Sequence, residues 1–162
     1  MGPAIKCGFE ALTKHDFIIR TYAADDFSDI QHIYALCKPD EFAHEAVKIK
    51  TRALTDDPMR LAQFTNSDVY VMEMHKSIAG FITVSNQEIG WLYVHPECRR
   101  LGLGRALLAH VMTLSQGRAL TLNIVKSNRP ALGLYLKYQF KVVDEFVAQV
   151  NGQPVEVLEM SW

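Results

Sequence analysis

Residues 88–125 contain the pattern that most limits the fold of this chain. The alternating apolar stretch EIGWLYV (88–94) predicts a strand that ends before Pro96, and ALTLNIV (119–125) predicts a second strand. Between them, apolar residues recur at helical spacing from Leu103 onwards. A helix that connects two strands in this way favours a crossover between parallel neighbours of one sheet. The helix N-terminus then lies at the carboxyl end of the first strand, where such folds bind ligands.

Five further strands are predicted outside this crossover. Their apolar residues alternate or are β-branched, and the last two flank Asn151-Gly152, a strong signal for a tight hairpin. They span residues 17–22, 68–75, 78–84, 141–150 and 154–162. The chain therefore has about seven strands in all.

Three helices are predicted in addition to the crossover helix. The first carries apolar residues at helical spacing from Phe27 to Cys37 and ends at Pro39. The second is capped by Asp40 and closed by the residues Asp56-Asp57-Pro58, and the third covers about 129–138. One face of the second helix would be formed by Phe42, Ala46, Ile49 and Ala53.

These elements predict one α/β (α+β) domain over residues 1–162. Its centre is a mixed, mostly antiparallel sheet of about seven strands, flanked by about four helices. The length suits a single core, and no stretch has the composition of a linker. Residues 1–15 show no clear period, and we expect a loose N-terminal arm there.

The segment RRLGLGR (99–105) combines two glycines with three arginines where the crossover helix begins. A helix N-terminus has unpaired N–H groups and a partial positive charge, and glycine lets ligand oxygens approach the backbone. The combination suits a pyrophosphate. A Walker loop is excluded because its Gly-Lys-Ser/Thr ending is absent, and a dinucleotide fingerprint would need a glycine where Leu107 stands. Judged on the glycines alone, an ordinary strand-to-helix turn is an equal alternative.

Two longer segments resemble motifs of the GNAT N-acetyltransferase superfamily. VHPECRRLGLGRALL is similar to its acetyl-CoA-binding segment V-x-P-x-x-R-x-x-G-x-G/A, and NRPALGLYLKYQF resembles its segment N-x-x-A-x-x-x-Y-x-x-x-G-F. The matching residues are Val94, Pro96, Arg99, Gly102, Gly104, Asn128, Ala131, Tyr135 and Phe140. Gln139 replaces the usual glycine, and a non-glycine residue in a left-handed helix cap costs roughly 1 kcal/mol.

The resemblance implies an acetyltransferase domain that moves an acetyl group from acetyl-CoA, as co-substrate, to an amine by direct attack in a ternary complex. It implies no metal. The alternative is a catalytically silent CoA-binding sensor or regulatory module with the same fold, whereas a nucleotide-dependent oxidoreductase is disfavoured by the missing third glycine. The residues that the resemblance implies as contacts of acetyl-CoA are Leu92, Tyr93, Val94, Arg99, Arg100, Leu101, Gly102, Leu103, Gly104, Arg105, Asn128 and Tyr135.

Two residues are candidates for proton transfer in this chemistry. An alkylamine has a pKa of about 10.4, so a base has to remove a proton before attack. The resemblance implies Glu88 as that base and Tyr135 as the acid that protonates the leaving thiolate. The alternatives are that Glu88 is a solvent-facing residue at the strand end and that Tyr135 is a ring packed on the sheet. Asn128 can be an N-cap as well as a contact of the pantetheine arm. His95 is expected in a turn and His110 on the apolar face of the crossover helix.

Composition narrows the remaining function classes. The net charge is −1, with acids and bases interspersed, which argues against nucleic-acid or membrane-surface binding. Cys7, Cys37 and Cys98 lack metal-like spacing and are expected to be free thiols in a reducing compartment. The first fifteen residues lack a signal-peptide core, so we expect a cytoplasmic protein. The sequence leaves open the amine acceptor and the choice between monomer and homodimer.

Overall fold

The computed structural model describes residues 16–162, so the predicted arm at residues 1–15 lies outside the described part of the chain. Within it, seven strands and four α-helices follow one another in the order β1-α1-α2-β2-β3-β4-α3-β5-α4-β6-β7. The strands are β1 (Phe17–Thr21), β2 (Asp68–Met74), β3 (Ser77–Ser85), β4 (Glu88–Val94), β5 (Thr121–Val125), β6 (Lys141–Val150) and β7 (Gln153–Ser161). The helices are α1 (Phe27–Cys37), α2 (Pro58–Thr65), α3 (Leu103–Ser115) and α4 (Arg129–Lys137).

All seven strands form one sheet in the order β1-β2-β3-β4-β5-β7-β6. Every neighbouring pair is antiparallel except β4 and β5, which are parallel, as the crossover predicts. These two strands pair only through Glu88 with Thr121 and Ile89 with Leu122. Beyond Ile89, β4 and β5 separate, so the centre of the sheet opens towards the start of α3. The predicted mixed sheet with four helices is confirmed.

The helices cover both faces of the sheet. Apolar side chains of α3 and α4 pack with strand residues in a core cluster on one face, which includes Leu107 and Phe140. A second cluster on the other face joins α1 and α2 to β2, β3 and β4, and includes Ile33 and Phe64. This arrangement leaves the opening between β4 and β5 bordered by helices on both sides. Between residues 16 and 162, no helix is both long and apolar enough to cross a membrane.

The predicted second helix over residues 40–56 is wrong. The chain forms short 3-10 turns at Lys38–Phe42 and Leu54–Asp56, separated by irregular backbone. The side chains of Phe42 and Ile49 are buried, but they pack against β5 and β7 in a third cluster. The apolar spacing of this segment therefore reflects tertiary contacts and not the face of a helix. A real helix, α2, follows. The Asp57 side chain accepts the Arg60 N–H at 3.1 Å, and Pro58 occupies the first turn of α2. These residues therefore begin a helix, whereas the prediction placed the end of a helix there.

Three turns that follow a strand or a helix contain left-handed backbone. Asn151 and Gly152 form the β6–β7 turn with φ of 49° and 80°, which confirms the predicted hairpin. Gly117 follows α3 with φ of 79°, a conformation that glycine favours just after a helix. Gln139, which stands where the GNAT motif has glycine, has φ of 68°. The chain therefore keeps the left-handed turn after α4 without the residue that best tolerates it.

Candidate active site

The opening between β4 and β5 forms a cleft of about 980 Å³. Its walls are β4, the turn into α3, β5, α4, the inner face of the β6–β7 hairpin and the 3-10 turn after α1. Twelve of the predicted site residues line it, whereas Leu101 does not. Those that do are Glu88, Leu92, Tyr93, Val94, Arg99, Arg100, Gly102, Leu103, Gly104, Arg105, Asn128 and Tyr135. Folding thus brings together two sequence segments that are separated by an entire helix and strand.

A bulge in β4 shapes the middle of the cleft. The β3–β4 register shifts between Ile82 and Val84, and the Trp91 N–H donates to the buried Thr83 hydroxyl oxygen at 2.9 Å instead of to a backbone carbonyl. Gly90 permits this close approach, because a Cβ at that position would lie 2.7 Å from the Thr83 oxygen. The bulge follows Ile89, the last β4 residue that pairs with β5, so it lies where the cleft begins.

The strand pattern leaves backbone groups of β4 directed into the cleft. The His95 N–H donates to the Ala79 carbonyl at 2.8 Å, which fixes which β4 residues bond to β3. Because these bonds alternate along an antiparallel pair, Leu92 and Val94 direct their N–H groups to the opposite side. At that level β5 no longer pairs with β4. Two amide donors therefore lie along the cleft wall without a partner in any strand that the structure describes.

The turn into α3 adds more donors at the end of the cleft. Arg100 and Gly102 have φ of 65° and 83°, and the first helical backbone bond runs from Ala106 N–H to the Gly102 carbonyl at 3.1 Å. The amides of Leu103, Gly104 and Arg105 precede this bond and have no intrahelical acceptor. With the positive end of the α3 dipole, they form a site suited to a phosphate anion.

The three arginines of this turn differ in their surroundings. The Arg99 guanidinium forms a 2.7 Å ion pair with Asp40 and donates to the Cys37 sulfur at 3.3 Å and the Val94 carbonyl at 3.2 Å. Arg100 and Arg105 are exposed and form no ion pair with any residue between 16 and 162. Arg99 thus connects the turn to the segment after α1, and the other two remain available to an anion.

Tyr135 lies on α4 with its ring buried against Phe140, at a centroid distance of 5.4 Å. Its hydroxyl has no hydrogen-bond partner among residues 16–162. Burial, and then the negative charge of Glu41, raise the pKa of Tyr135 well above its usual value. The phenol therefore stays protonated at neutral pH and can donate a proton into the cleft.

The other two side chains predicted near the reaction have ordinary local partners. Asn128 caps α4, since its side-chain oxygen accepts the Ala131 N–H at 3.3 Å. Glu88 is exposed at the narrow end of the cleft and accepts a 3.2 Å hydrogen bond from the Asn123 amide. Both residues nevertheless line the cleft. Their structural contacts and a role toward ligands are compatible.

The wall opposite α4 contains a polar group that sequence analysis did not predict. The Glu41 carboxylate accepts a hydrogen bond from the Tyr93 hydroxyl and a 2.6 Å ion pair from Lys38. Tyr93 is buried, and burial is the main reason why its pKa is raised well above the usual value. The sequence signal for this group is the i, i+3 spacing of Lys38 and Glu41. That spacing predicts an ion pair only if the segment is known to form a 3-10 turn.

The surroundings of two histidines and one cysteine can be compared with their predictions. His95 sits in the turn after β4, as predicted, and its Nδ1 accepts the Glu97 N–H at 3.3 Å. His110 lies on α3 and packs edge-on against Tyr70 of β2, with ring centroids 5.1 Å apart. Cys98 is fully buried and disulfide-bonded, so the prediction that it is a free thiol is wrong. A disulfide depends on Cα proximity in the folded chain, which sequence spacing does not show.

Comparison with known proteins decides the family. The acetyltransferase (GNAT) domain model matches residues 65–142, from the end of α2 to the start of β6. The chain belongs to the GNAT acetyltransferase superfamily. The peptidyl-lysine N-acetyltransferase YjaB of Escherichia coli is 27% identical to this GNAT chain over 127 residues, which cover 78% of the chain and 84% of the relative.

Solved GNAT structures share the whole fold. YncA of Salmonella typhimurium, solved with its cofactor acetyl-CoA, has a TM-score of 0.68 at 20% identity, covering 91% of this chain and 93% of that one. The ribosomal-protein-alanine N-acetyltransferase of Brucella melitensis has a TM-score of 0.69 at 20% identity, covering 90% and 98%. The chain is thus an N-acetyltransferase of GNAT type, and acetyl-CoA is the acyl donor of that family.

Proposed function

We propose that this enzyme transfers the acetyl group of acetyl-CoA to a primary amine carried on a peptide, with the lysine side chain as the first candidate. The amine attacks the thioester directly while both substrates are bound. The name of the YjaB relative supports a peptide lysine. The Brucella neighbour acts on an alanine of a ribosomal protein, which keeps a peptide amine as the common chemistry.

The observation that carries the proposal is the unpaired stretch of β4 beside the α3 N-terminus. The Leu92 and Val94 amides suit the amide-bearing pantetheine arm, and the amides of residues 103–105 suit the pyrophosphate. Arg100 and Arg105 add positive charge, and Asn128 faces the arm from α4. The Leu92 N–H is also the donor we assign to the thioester oxygen, where negative charge develops.

Proton transfer is assigned to two residues of the cleft. As the amine nitrogen bonds to the acetyl carbon and the carbon–sulfur bond breaks, Tyr135 protonates the departing thiolate. Glu88 removes the amine proton through a chain of water molecules, since its exposed carboxylate is at the narrow end of the cleft, away from Leu92. The presence of Tyr135 as an unpaired, protonated phenol favours an active enzyme over a silent CoA sensor.

A lysine-peptide assay tests the proposal. A peptide with a blocked N-terminus and one lysine is incubated with acetyl-CoA and the enzyme, and both free CoA and peptide mass are followed. We expect CoA release to match peptide acetylation mole for mole. Tight acetyl-CoA binding by calorimetry without turnover of this peptide or of a free-N-terminus peptide would instead support the silent sensor.

The cellular location and the oligomeric state of the enzyme can each be tested. We propose a cytoplasmic location, where acetyl-CoA is available to the enzyme. Cell fractionation with an antibody to the native protein tests the location. We propose no nucleic-acid or membrane partner, given the balanced charge. Light scattering decides between monomer and homodimer.

A further inference from the structure

The geometry points to Glu41 as the residue that binds the ammonium group of the acceptor, in a position that Lys38 holds in the free enzyme. This inference rests on the proposed amine acetylation and names the feature of the acceptor that the enzyme recognises. It concerns capture and orientation of the amine. The proton transfer assigned to Glu88 is a separate step.

Three carboxylates line the described cleft: Asp40, Glu41 and Glu88. Asp40 is half exposed and already paired with Arg99 at 2.7 Å. Glu88 is exposed at the far, narrow end of the cleft and contacts Asn123. Only Glu41 is largely shielded, with 20% of its side chain exposed. An ion pair there is screened less by solvent than one at the surface, so it discriminates better between charged and neutral ligands.

The surroundings of Glu41 are built for an alkylammonium ion. One oxygen accepts the hydroxyl of buried Tyr93, which orients the carboxylate. The other oxygen accepts the Lys38 ammonium at 2.6 Å, and the same ammonium lies 5.4 Å from the centre of the Phe42 ring. A carboxylate and an aromatic face together recognise a cation on an aliphatic stem.

Lys38 thus shows which ligand this pocket accepts, because its side chain is chemically identical to the proposed acceptor. A carboxylate has about four lone-pair positions, so an incoming ammonium can join Lys38 or replace it. Either event brings the acceptor nitrogen to the wall that carries Tyr93. Tyr93 directly follows Leu92, whose amide is assigned to the thioester oxygen. Glu41 is also near enough to Tyr135 for its charge to act on that phenol across the cleft.

The first test separates Glu41 from a general structural role. Glu41→Gln is compared with Glu45→Gln, a matched control four residues later whose partner is Ser127 and which does not line the cleft. Two acceptors are used: the blocked single-lysine peptide, which is cationic, and trifluoroethylamine, which is neutral at neutral pH. For Glu41→Gln we expect KM for the peptide to rise at least ~10-fold with little change in kcat, and KM for the neutral amine to change less than ~3-fold. Glu45→Gln should change neither. An equal rise in KM for both acceptors would overturn the inference.

The second test uses Lys38→Met, which keeps the aliphatic stem over Phe42 but removes the competing ammonium. If Lys38 holds the acceptor position, KM for the lysine peptide falls several-fold in this variant. If the Lys38–Glu41 pair only supports the fold, KM stays unchanged or rises together with a loss of thermal stability. The latter result contradicts the inference.

A binding measurement keeps this inference distinct from the proposed function. The lysine peptide is titrated by calorimetry into wild-type enzyme and Glu41→Gln, each saturated with CoA. Weaker binding to Glu41→Gln by at least ~10-fold supports the inference even if no turnover is seen, whereas equal binding overturns it. Absence of acetyl-CoA binding by the wild-type enzyme would contradict the proposed function alone, because the same peptide titration can be performed without CoA.

Discussion

The two sides of the cleft are built in different ways. The side formed by the end of β4, the glycine turn and the start of α3 presents backbone N–H groups, positioned by left-handed residues and a helix terminus. The side formed by residues 37–42 presents charged side chains that hold one another through ion pairs. The first is encoded within about a dozen consecutive residues, whereas the second depends on contacts such as Tyr93 with Glu41, which are 52 positions apart. We infer that substitutions that change the backbone of the first side weaken mainly acetyl-CoA binding. Substitutions of the charged side chains on the second side weaken mainly binding of the amine acceptor.

The largest expected effect is at Tyr135, which lines the cleft from α4. Tyr135→Phe keeps the buried ring but removes the proton donor, so we expect kcat to fall by ~10²–10⁴-fold with unchanged acetyl-CoA affinity. Steady-state kinetics and calorimetry measure the two quantities. Tyr138→Phe, on the same helix end but outside the cleft, is the control. A kcat within threefold of wild type would remove Tyr135 from the mechanism.

The second test compares two glycines at opposite ends of α3. Gly102 and Gly117 have φ of 83° and 79°, and a Cβ at either position would meet no atom within 4 Å, so valine introduces similar backbone strain at each. We expect both variants to lose about 1–2 kcal/mol of stability. Only Gly102→Val should also weaken acetyl-CoA binding, by ~30-fold or about 2 kcal/mol, because Gly102 belongs to the turn that we assign to the pyrophosphate.

Thermal unfolding and calorimetry test that pair. If both variants bind acetyl-CoA as tightly as wild type, the α3 N-terminus is not the phosphate site. If both lose affinity equally, strain in α3 explains the effect, and the contrast between the two sides of the cleft loses its support.

The third prediction concerns alkaline pH. Burial raises the pKa of Tyr34 to about 12, and the pKa values of Tyr93 and Tyr135 are raised for the same main reason. Above the ordinary tyrosine pKa of 10.0, the unfolded chain loses protons that the folded chain keeps, so stability present below that pH declines as pH rises. Each group contributes a slope of at most about 1.4 kcal/mol per pH unit. Chemical unfolding across this range, with Tyr135→Phe for comparison, measures it. A variant with an unchanged slope would contradict the assignment to Tyr135.

The smallest effect is expected at Gln139, in the left-handed turn after α4. Gln139→Gly removes the strain of φ 68°, so we expect a gain of about 1 kcal/mol in unfolding free energy without a change in acetyl-CoA affinity. Gln149→Gly in strand β6 should instead lose about 0.5–1 kcal/mol, since glycine weakens a strand. Denaturant titrations of the two variants check both signs, and a destabilised Gln139→Gly would show that its side chain has a contact of greater value.

The sequence predicted the local structure of β4, the glycine turn and α3 well because the signals for these elements are local. The bounds of β4, the start of α3 and the N-cap position of Asn128 follow from alternation, helical spacing and residue type within a few positions. The segment 38–57 could not be predicted in the same way. Its apolar spacing fits a helix, but Phe42 and Ile49 pack against strands that come about a hundred residues later. The same long-range dependence concealed the partner of Glu41 and the ion pair between Arg99 and Asp40.

The short seam between β4 and β5 has a mechanical consequence. Among the strands of residues 16–162, two residue pairs are the only ladder that joins the four-stranded half of the sheet to the three-stranded half. A long ligand that contacts both Leu92 and Asn128 would connect the two halves of the sheet. Local opening of one half would then be coupled to opening of the other. Isotope exchange should then slow in β7, remote from the ligand, when the cofactor occupies the enzyme.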